Sequence, residues 1–222
     1  MAEMRKRATG PLHIGEMEVW ALDAGRFWLD GGTMFGVVPK ALWEKRMPAD
    51  GHNRILLGLT CLLVRTGTET VLIESGHGCA KLKETLRQAI SLEPSAGLEA
   101  PLAEVGVTPE DVDRVIVTHL HPDHAGGCTR ISDGVCVPAF PNARYVAQRD
   151  EWEDATGGDR QVGKAYYAEQ DLAPLQDAGL LDLIDDEAEI CPGIRCMPTR
   201  GHTRAHQSIL ISSGSDTGCF IG

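Results

Sequence analysis

The chain has 222 residues, enough for one large domain or two small ones with a sizeable buried core. Its 32 acidic residues outnumber 21 basic ones for a net charge of −11, which argues against a nucleic-acid partner because such partners favour a basic face. No segment approaches the roughly 20 apolar residues of a membrane helix. The charged N-terminus lacks the apolar stretch of a secretory signal.

The cysteine pattern bears on the compartment. There are seven cysteines, an odd number, and no two form a Cys-x-x-Cys pair. A disulfide framework or a zinc knuckle is therefore not expected, and reduced thiols in a cytoplasmic protein are the better interpretation. Neither the composition nor the termini predict a membrane partner.

Residues 1–12 are predicted to be a flexible tail, and residues 13–222 one α/β domain, since no linker or low-complexity stretch divides them. Met17 to Leu22 alternates as a strand does. The glycine-rich stretch 30–39 follows, and it holds the apolar residues Met34 and Phe35. These two are candidate substrate contacts, although a loop folded onto the core explains them equally well.

The middle of the chain leads to a buried strand. Residues 55–65 and 70–73 read as a hairpin joined by a polar turn, and Glu74 follows directly. A helix is predicted from about Cys79 to Ile90 with an apolar stripe of Leu82, Leu86, Ala89 and Ile90. Residues 114–118 then form a short apolar strand.

Four metal-competent side chains occur within six residues after that strand. His119 and His121 alternate, so they point to the same side of an extended backbone, and Asp123 and His124 follow the turn at Pro122. Imidazole and carboxylate are the ligands that suit zinc and similar divalent metals. A histidine-rich surface loop is the alternative, but the added Asp and His at this spacing make it much weaker.

The second half repeats the strand and helix pattern. Strands are predicted at 144–148, 180–184, 188–191, 194–198 and 209–213, with a helix start at 149–153 and partial helix over 166–176. The polar loop 200–208 carries His202 and His206. His202 would complete a three-nitrogen site with His119 and His121 and leave a fourth position open, as in catalytic zinc sites. For His206 a buried hydrogen-bonding role is favoured.

These motifs resemble the metallo-β-lactamase superfamily. Thr-His-x-His-x-Asp-His at 118–124, Gly-His-Thr-x-x-His at 201–206 and the final Phe-Ile-Gly carry the resemblance, and the segment 31–40 and residues 140–145 suggest its lactonase-like branch. The resemblance implies an αββα sandwich with two divalent metals, zinc foremost and manganese, iron or cobalt as alternatives. His119, His121 and His202 would hold the first metal, and Asp123 and His124 the second.

The implied activity is hydrolysis of a small ester or lactone by a metal-bridged hydroxide, with Asp123 as proton shuttle. A glyoxalase-type thioesterase, a phosphotriesterase and a non-catalytic metal-binding protein stay open, as does a homodimer. No nucleic-acid partner is expected, because net −11 also disfavours the RNA-processing members of the family.

Three departures from the family pattern affect these expectations. Glu74 stands where the family has a supporting Asp beside the metal ligands, and His206 is a second expected supporting residue. Arg200, Arg204 and Ala205 replace the usual proline, proline and glycine, which could add positive charge near a substrate. The family's metal-bridging Asp would follow Gly222, so we expect a C-terminally truncated sequence, a sandwich incomplete in its second half and an incomplete second metal site.

Overall fold

The computed structural model describes residues 6–78, 82–157 and 169–222. Strands occupy β1 Ala8–Ile14, β2 Met17–Asp30, β3 Arg54–Arg65, β4 Thr70–Ile73, β5 Arg114–Ile116, β6 Thr129–Ser132, β7 Val135–Pro138, β8 Arg144–Gln148, β9 Leu181–Ile184, β10 Ala188–Cys191, β11 Ile194–Pro198, β12 Gln207–Ser213 and β13 Asp216–Phe220. Helices occupy α1 Gly31–Phe35, α2 Lys40–Trp43, α3 Glu84–Ala89, α4 Glu99–Glu104, α5 Pro122–Ala125, α6 Arg149–Thr156 and α7 Glu169–Asp177. Short 3₁₀ turns cover Pro109–Asp111 and Gly126–Cys128.

The larger sheet has the order β1-β2-β3-β4-β5-β8-β9. Its first four strands run antiparallel to their neighbours, whereas β4, β5, β8 and β9 are parallel. Parallel strands are covered on both faces, and in β5 both Val115 and Ile116 are fully buried. The histidine motif therefore follows shortly after the buried carboxyl end of β5.

The second sheet has the order β10-β11-β12-β13 and packs against one face of the first. Among the described residues, the core between them is made by strand residues, with Val64, Ile73 and Ile116 from the large sheet meeting Ile194 and Ile209 from the small one. Alternation along β11 exposes Arg195 between buried neighbours. Buried apolar area of this kind is the main stabilising term of a two-sheet sandwich.

The other face of the large sheet is covered by helices. Side chains from α4, α6 and α7, among them Leu102, Trp152 and Leu172, join a second apolar cluster with strand residues such as Leu63 and Leu72. Helix, sheet and sheet thus form successive layers, which confirms the predicted α/β sandwich. No helix within the described ranges has the length and apolar character needed to cross a membrane.

Several sequence expectations need correction. The tail predicted over 1–12 is wrong for residues 8–12, which belong to β1 and pair with β2. β2 extends well past Leu22 to Asp30, because a bulge between Asp23 and Arg26 lets the strand continue. The hairpin β6–β7 was not predicted at all. The predicted domain boundary at residue 13 is wrong for the same reason, because β1 crosses it.

The predicted helix from Cys79 to Ile90 is shorter in the structure. The helix begins at Glu84, and Cys79 to Lys81 lie outside the described residues. Ile90 is buried, but Leu86 is 47% exposed, so the predicted apolar stripe covers the core only in part. The first part of the predicted helix 166–176 also lies outside the described residues, whereas α7 accounts for its end.

Candidate metal centre

The histidine motif occupies the turn between β5 and α5. His119 is 2% exposed, and His121 is the residue before α5, whose first position is Pro122. Proline at the start of a helix removes a backbone N–H that would have no partner there. Five residues, 117–121, separate the end of the strand from the start of the helix, and both imidazoles lie in this short connection.

Three imidazole nitrogens converge at this point. Nε2 of His119 lies 3.0 Å from Nδ1 of His121, which lies 3.0 Å from Nε2 of His202. The ligand atoms of all three residues lie within 4.8 Å of one another. Nitrogens that bind one tetrahedral zinc at 2.0–2.1 Å stand roughly 3.4 Å apart. The donor set and its spacing therefore fit a single divalent ion.

The surroundings keep the imidazoles of His119 and His121 neutral. Burial lowers the pKa of His119 to about 2, aided by the charges of the neighbouring histidines. Burial and the charge of His202 lower the pKa of His121 to about 4, against the opposing effect of Asp123. A neutral imidazole has a free lone pair for a metal, so the electrostatics agree with the predicted role.

Asp123 and His124 lie beside this cluster on α5. Nε2 of His124 is 3.4 Å from Oδ2 of Asp123, and the His119 and His124 ring centroids are 4.1 Å apart. Burial disfavours a charged His124, but hydrogen bonds to Asp123 and Glu74 outweigh it and raise its pKa to about 10. The raised pKa means that His124 is protonated in the metal-free protein, so a second cation bound by Asp123 and His124 would have to displace that proton.

Glu74 supports the motif from the end of β4. It is 2% exposed, and its Oε1 accepts the backbone N–H of Thr118 at 2.9 Å. Its Oε2 lies 3.1 Å from Nδ1 of His124. Thr118 Oγ1 in turn lies 2.9 Å from Nδ1 of His119, which leaves Nε2 of that ring directed at the cluster. This placement agrees with the predicted supporting role of Glu74, which stays a prediction.

His206 sits behind the cluster rather than in it. Its ring centroid is 5.2 Å from that of His119 and 6.1 Å from that of His202. Nδ1 of His206 lies 2.9 Å from Oγ1 of Thr199. Burial lowers the pKa of His206. This arrangement agrees with the predicted hydrogen-bonding role, which stays a prediction.

Two buried polar residues were missed by the sequence analysis. Gln207 donates from Nε2 to Val117 O at 2.7 Å, and it accepts from Gln148 Nε2 at 2.8 Å. Glu151 of α6 is 1% exposed and accepts hydrogen bonds from Leu120 and Thr203. An acid in the first turn of a helix normally reads as a partner of the helix dipole, so its sequence position gave no signal of this role.

The arginines of the His202 loop are already paired. Arg204 forms ion pairs with Asp150 at 3.0 Å and Asp154 at 2.9 Å, and Arg200 pairs with Asp186. The expectation that these arginines add positive charge near a substrate is therefore not supported by the geometry, because carboxylates neutralise them.

The two candidate substrate contacts differ in exposure. Phe35 stacks on Trp43 with ring centroids 4.8 Å apart, and Trp43 is 4% exposed. Met34 is 45% exposed and Val37 fully so. The segment thus combines a part folded onto the core with an apolar tip, and the substrate role of Met34 and Phe35 stays a prediction.

One cavity adjoins the metal-competent residues. It has a volume of about 190 Å³ and is lined by Glu74, Asp123, His124, Phe220 and Gly222, together with β3 residues 58–61. A larger cavity of about 430 Å³, lined in part by Ser75, His77 and Phe140, contains none of the five predicted ligands. The smaller cavity is the more relevant one because it opens on the predicted second metal position.

A three-histidine cluster beside an Asp–His pair, at the edge of a two-sheet sandwich, defines a metal-binding class of protein. The chain belongs to the metallo-beta-lactamase superfamily, whose family model matches residues 56–222. This confirms the family resemblance noted in the sequence.

Curated relatives include N-acyl homoserine lactonases. One from Bacillus cereus is 37% identical over 170 residues, covering 72% of this chain and 61% of the relative. Another, from a Bacillus species, is 38% identical over 112 residues, covering 50% of this chain and 38% of the relative. The chain therefore spans about two fifths to three fifths of the length of these relatives.

Solved structures share the fold over nearly the whole chain. A probable metal-dependent hydrolase from Staphylococcus aureus is 32% identical with a TM-score of 0.86, covering 95% of this chain and 74% of its own. A dizinc quorum-quenching lactonase in complex with a product is 18% identical with a TM-score of 0.73, covering 97% and 74%. At 18% identity the second likeness concerns the fold alone.

Proposed function

We propose that the protein is a metal-dependent hydrolase that cleaves a small ester or lactone. The observation that carries the proposal is the convergence of His119, His121 and His202, whose nitrogens are spaced for one divalent ion. Asp123 and His124 would hold a second. Zinc is the first metal to test, since imidazole and carboxylate also suit manganese, iron and cobalt.

When bound, two divalent ions at such a site supply a water of lowered pKa and polarise a carbonyl oxygen. The protein residues have separate tasks. His119 and His121 stay neutral and present lone pairs, because burial lowers the pKa of both, and His202 supplies the third nitrogen. Glu74 holds His124 in orientation through the 3.1 Å contact.

Asp123 is the candidate proton carrier. It lies on α5 between His121 and His124, with a side chain that is 29% exposed and borders the 190 Å³ cavity. A carboxylate at that position can take a proton from the attacking water and pass it to the alkoxide that leaves the opened ester or lactone. This role requires the carboxylate to reach both oxygens within hydrogen-bond distance.

The names of the relatives indicate which substrate to test first. They are named N-acyl homoserine lactonases, and the family match spans most of this chain. We infer that the substrate is a small lactone of this type, with its ester bond placed at the cavity beside Asp123 and His124. A thioester and a phosphotriester remain the comparison substrates, because similar ligand sets can serve either.

The test combines metal analysis with turnover. Protein purified with zinc is analysed for metal content and assayed on N-hexanoyl homoserine lactone, a thioester and a phosphotriester. We expect at least one zinc per chain and preferential lactone hydrolysis that His119→Ala abolishes. Less than one bound metal would overturn the metal centre, and full occupancy without lactone turnover would overturn the substrate class.

A further inference from the structure

Two loops form the predicted first metal site, and they come from distant parts of the chain. His119 and His121 lie on the turn after β5, whereas His202 lies 81 residues beyond His121, on the loop before β12. The spacing of the three nitrogens depends on how these loops are held relative to each other. A residue that contacts both loops would therefore control the geometry of the site.

Glu151 contacts both loops, one with each oxygen of its own carboxylate. Its Oε1 accepts the backbone N–H of Leu120 at 3.1 Å, and Leu120 is the residue between His119 and His121. Its Oε2 accepts the hydroxyl of Thr203 at 2.7 Å, and Thr203 directly follows His202. Each hydrogen bond is thus made beside a predicted ligand.

The carboxylate is rigidly placed. Glu151 is 1% exposed, and Thr203 is 7% exposed. Its neighbour Trp152 belongs to the main apolar cluster, which anchors α6 against the large sheet. A buried carboxylate needs its hydrogen bonds, so losing one donor would leave a charged oxygen without compensation and shift the loops.

We propose that Glu151 is a positioning residue for the metal centre, which joins the His119–His121 turn to the His202 loop and sets the distance between their imidazole nitrogens. The proposal rests on the metal-binding function proposed above. Outer contacts of this kind commonly change metal affinity by roughly 10- to 100-fold. Both of its hydrogen bonds are made to neighbours of the predicted ligands, and Glu151 is not one of the three clustered residues.

A second link between α6 and the same loop offers a control. Arg204 pairs with Asp150 and Asp154 on the exposed side of the helix, with a side chain that is 52% exposed. Exposed ion pairs contribute little, because water and salt screen them. Arg204→Gln should therefore disturb the loop much less than loss of the buried hydrogen bond.

The test compares Thr203→Val with Thr203→Ser. The valine keeps the shape and removes the hydroxyl, whereas the serine keeps the hydroxyl. Zinc dissociation constants are measured by chelator competition, cobalt(II) spectra report the ligand geometry, and melting of the metal-free chain reports stability. Thr203→Val and Glu151→Gln should weaken zinc binding about 10- to 100-fold and alter the cobalt spectrum. Thr203→Ser and Arg204→Gln should stay near the wild type.

The outcomes separate the two proposals. Variants that melt earlier but bind zinc and cobalt as the wild type does would show a purely structural role and overturn the positioning role of Glu151. A wild-type chain that binds no zinc would overturn the metal-binding function and this inference with it. If Glu151→Gln does not fold, the comparison of Thr203→Val with Thr203→Ser tests the positioning role by itself.

Discussion

Oε2 of Glu74 lies 3.1 Å from Nδ1 of His124, and the Glu74 backbone has a φ of +68°. Residues other than glycine rarely adopt this left-handed conformation, which costs on the order of 1–3 kcal/mol. In this conformation Glu74 contacts two residues of the histidine motif, because its Oε1 also accepts the Thr118 N–H at 2.9 Å.

Glu74→Gln should weaken metal binding at the Asp123–His124 position. The amide carries no charge. It has a single acceptor oxygen, whereas the carboxylate presents one acceptor oxygen to His124 and another to Thr118. We expect a loss of roughly 10- to 100-fold in affinity for the second metal. Isothermal titration with zinc would measure it, with Glu69→Gln, a remote acid of an ion pair, as the matched control. Equal affinities in the two variants would contradict the role.

His202→Ala and His206→Ala should differ in metal content. His202 belongs to the group of three nitrogens, whereas His206 lies behind it and contacts Thr199. Loss of the direct ligand His202 should lower metal affinity by more than roughly 100-fold, which is the upper effect of an outer contact. Loss of His206 should lower it by no more than that. Metal analysis after dialysis against a weak chelator would compare them. If His206→Ala lost its zinc as fully, the third ligand would have to be reassigned.

Much of the site could be predicted from spacing alone. The alternation of His119 and His121 after a buried strand placed both rings on one side, and the structure brings their nitrogens to 3.0 Å. His202 is predicted as the third ligand because it would complete a three-nitrogen site with His119 and His121, and it lies equally close to His121. Alternation along an extended backbone makes the placement of the first two histidines predictable.

Other features could not be predicted because they depend on distant residues. Glu151 lies in an ordinary helix start, and only the tertiary fold reveals that its two oxygens meet Leu120 and Thr203. β1 was mistaken for a tail because its residues are mostly exposed, with Leu12 at 66%, and pairing with β2 rather than burial holds it. Neither contact can be predicted from the local sequence pattern, because each depends on residues elsewhere in the chain.

Ile194→Ala should strongly destabilise the sandwich. Ile194 is fully buried between the two sheets, so the substitution leaves a cavity that strands on both sides would have to close. We expect a loss of about 2–5 kcal/mol in the free energy of unfolding. Val37→Ala is the control, because Val37 is 100% exposed and should change stability by no more than roughly 0.5 kcal/mol. Urea unfolding measures both, and similar losses would contradict the assigned core.

The ion pair between Glu69 and Arg114 should make stability depend on pH in acid. Nη2 of Arg114 donates to Oε1 of Glu69 at 3.0 Å, Nε donates to Oε2, and the two side chains are 25% and 26% exposed. The hydrogen bonds from Arg114 outweigh burial and lower the pKa of Glu69 below its ordinary value of 4.5. A pKa that is lowered in the folded state stabilises the fold at pH values above the pKa of the unfolded carboxyl. This contribution disappears as the pH falls through the pKa of the folded carboxyl.

Glu69→Gln should therefore reduce the free energy of unfolding by up to about 1 kcal/mol at pH 7. The difference from the wild type should persist down to about pH 5 and shrink steadily below roughly pH 4.5, where the unfolded carboxyl takes up its proton. Urea unfolding of both chains at several pH values between 7 and 3 would measure this. A difference that stays constant as carboxyls protonate would mean that Glu69 contributes through packing or neutral hydrogen bonds, because only a charge-dependent contribution can be titrated away.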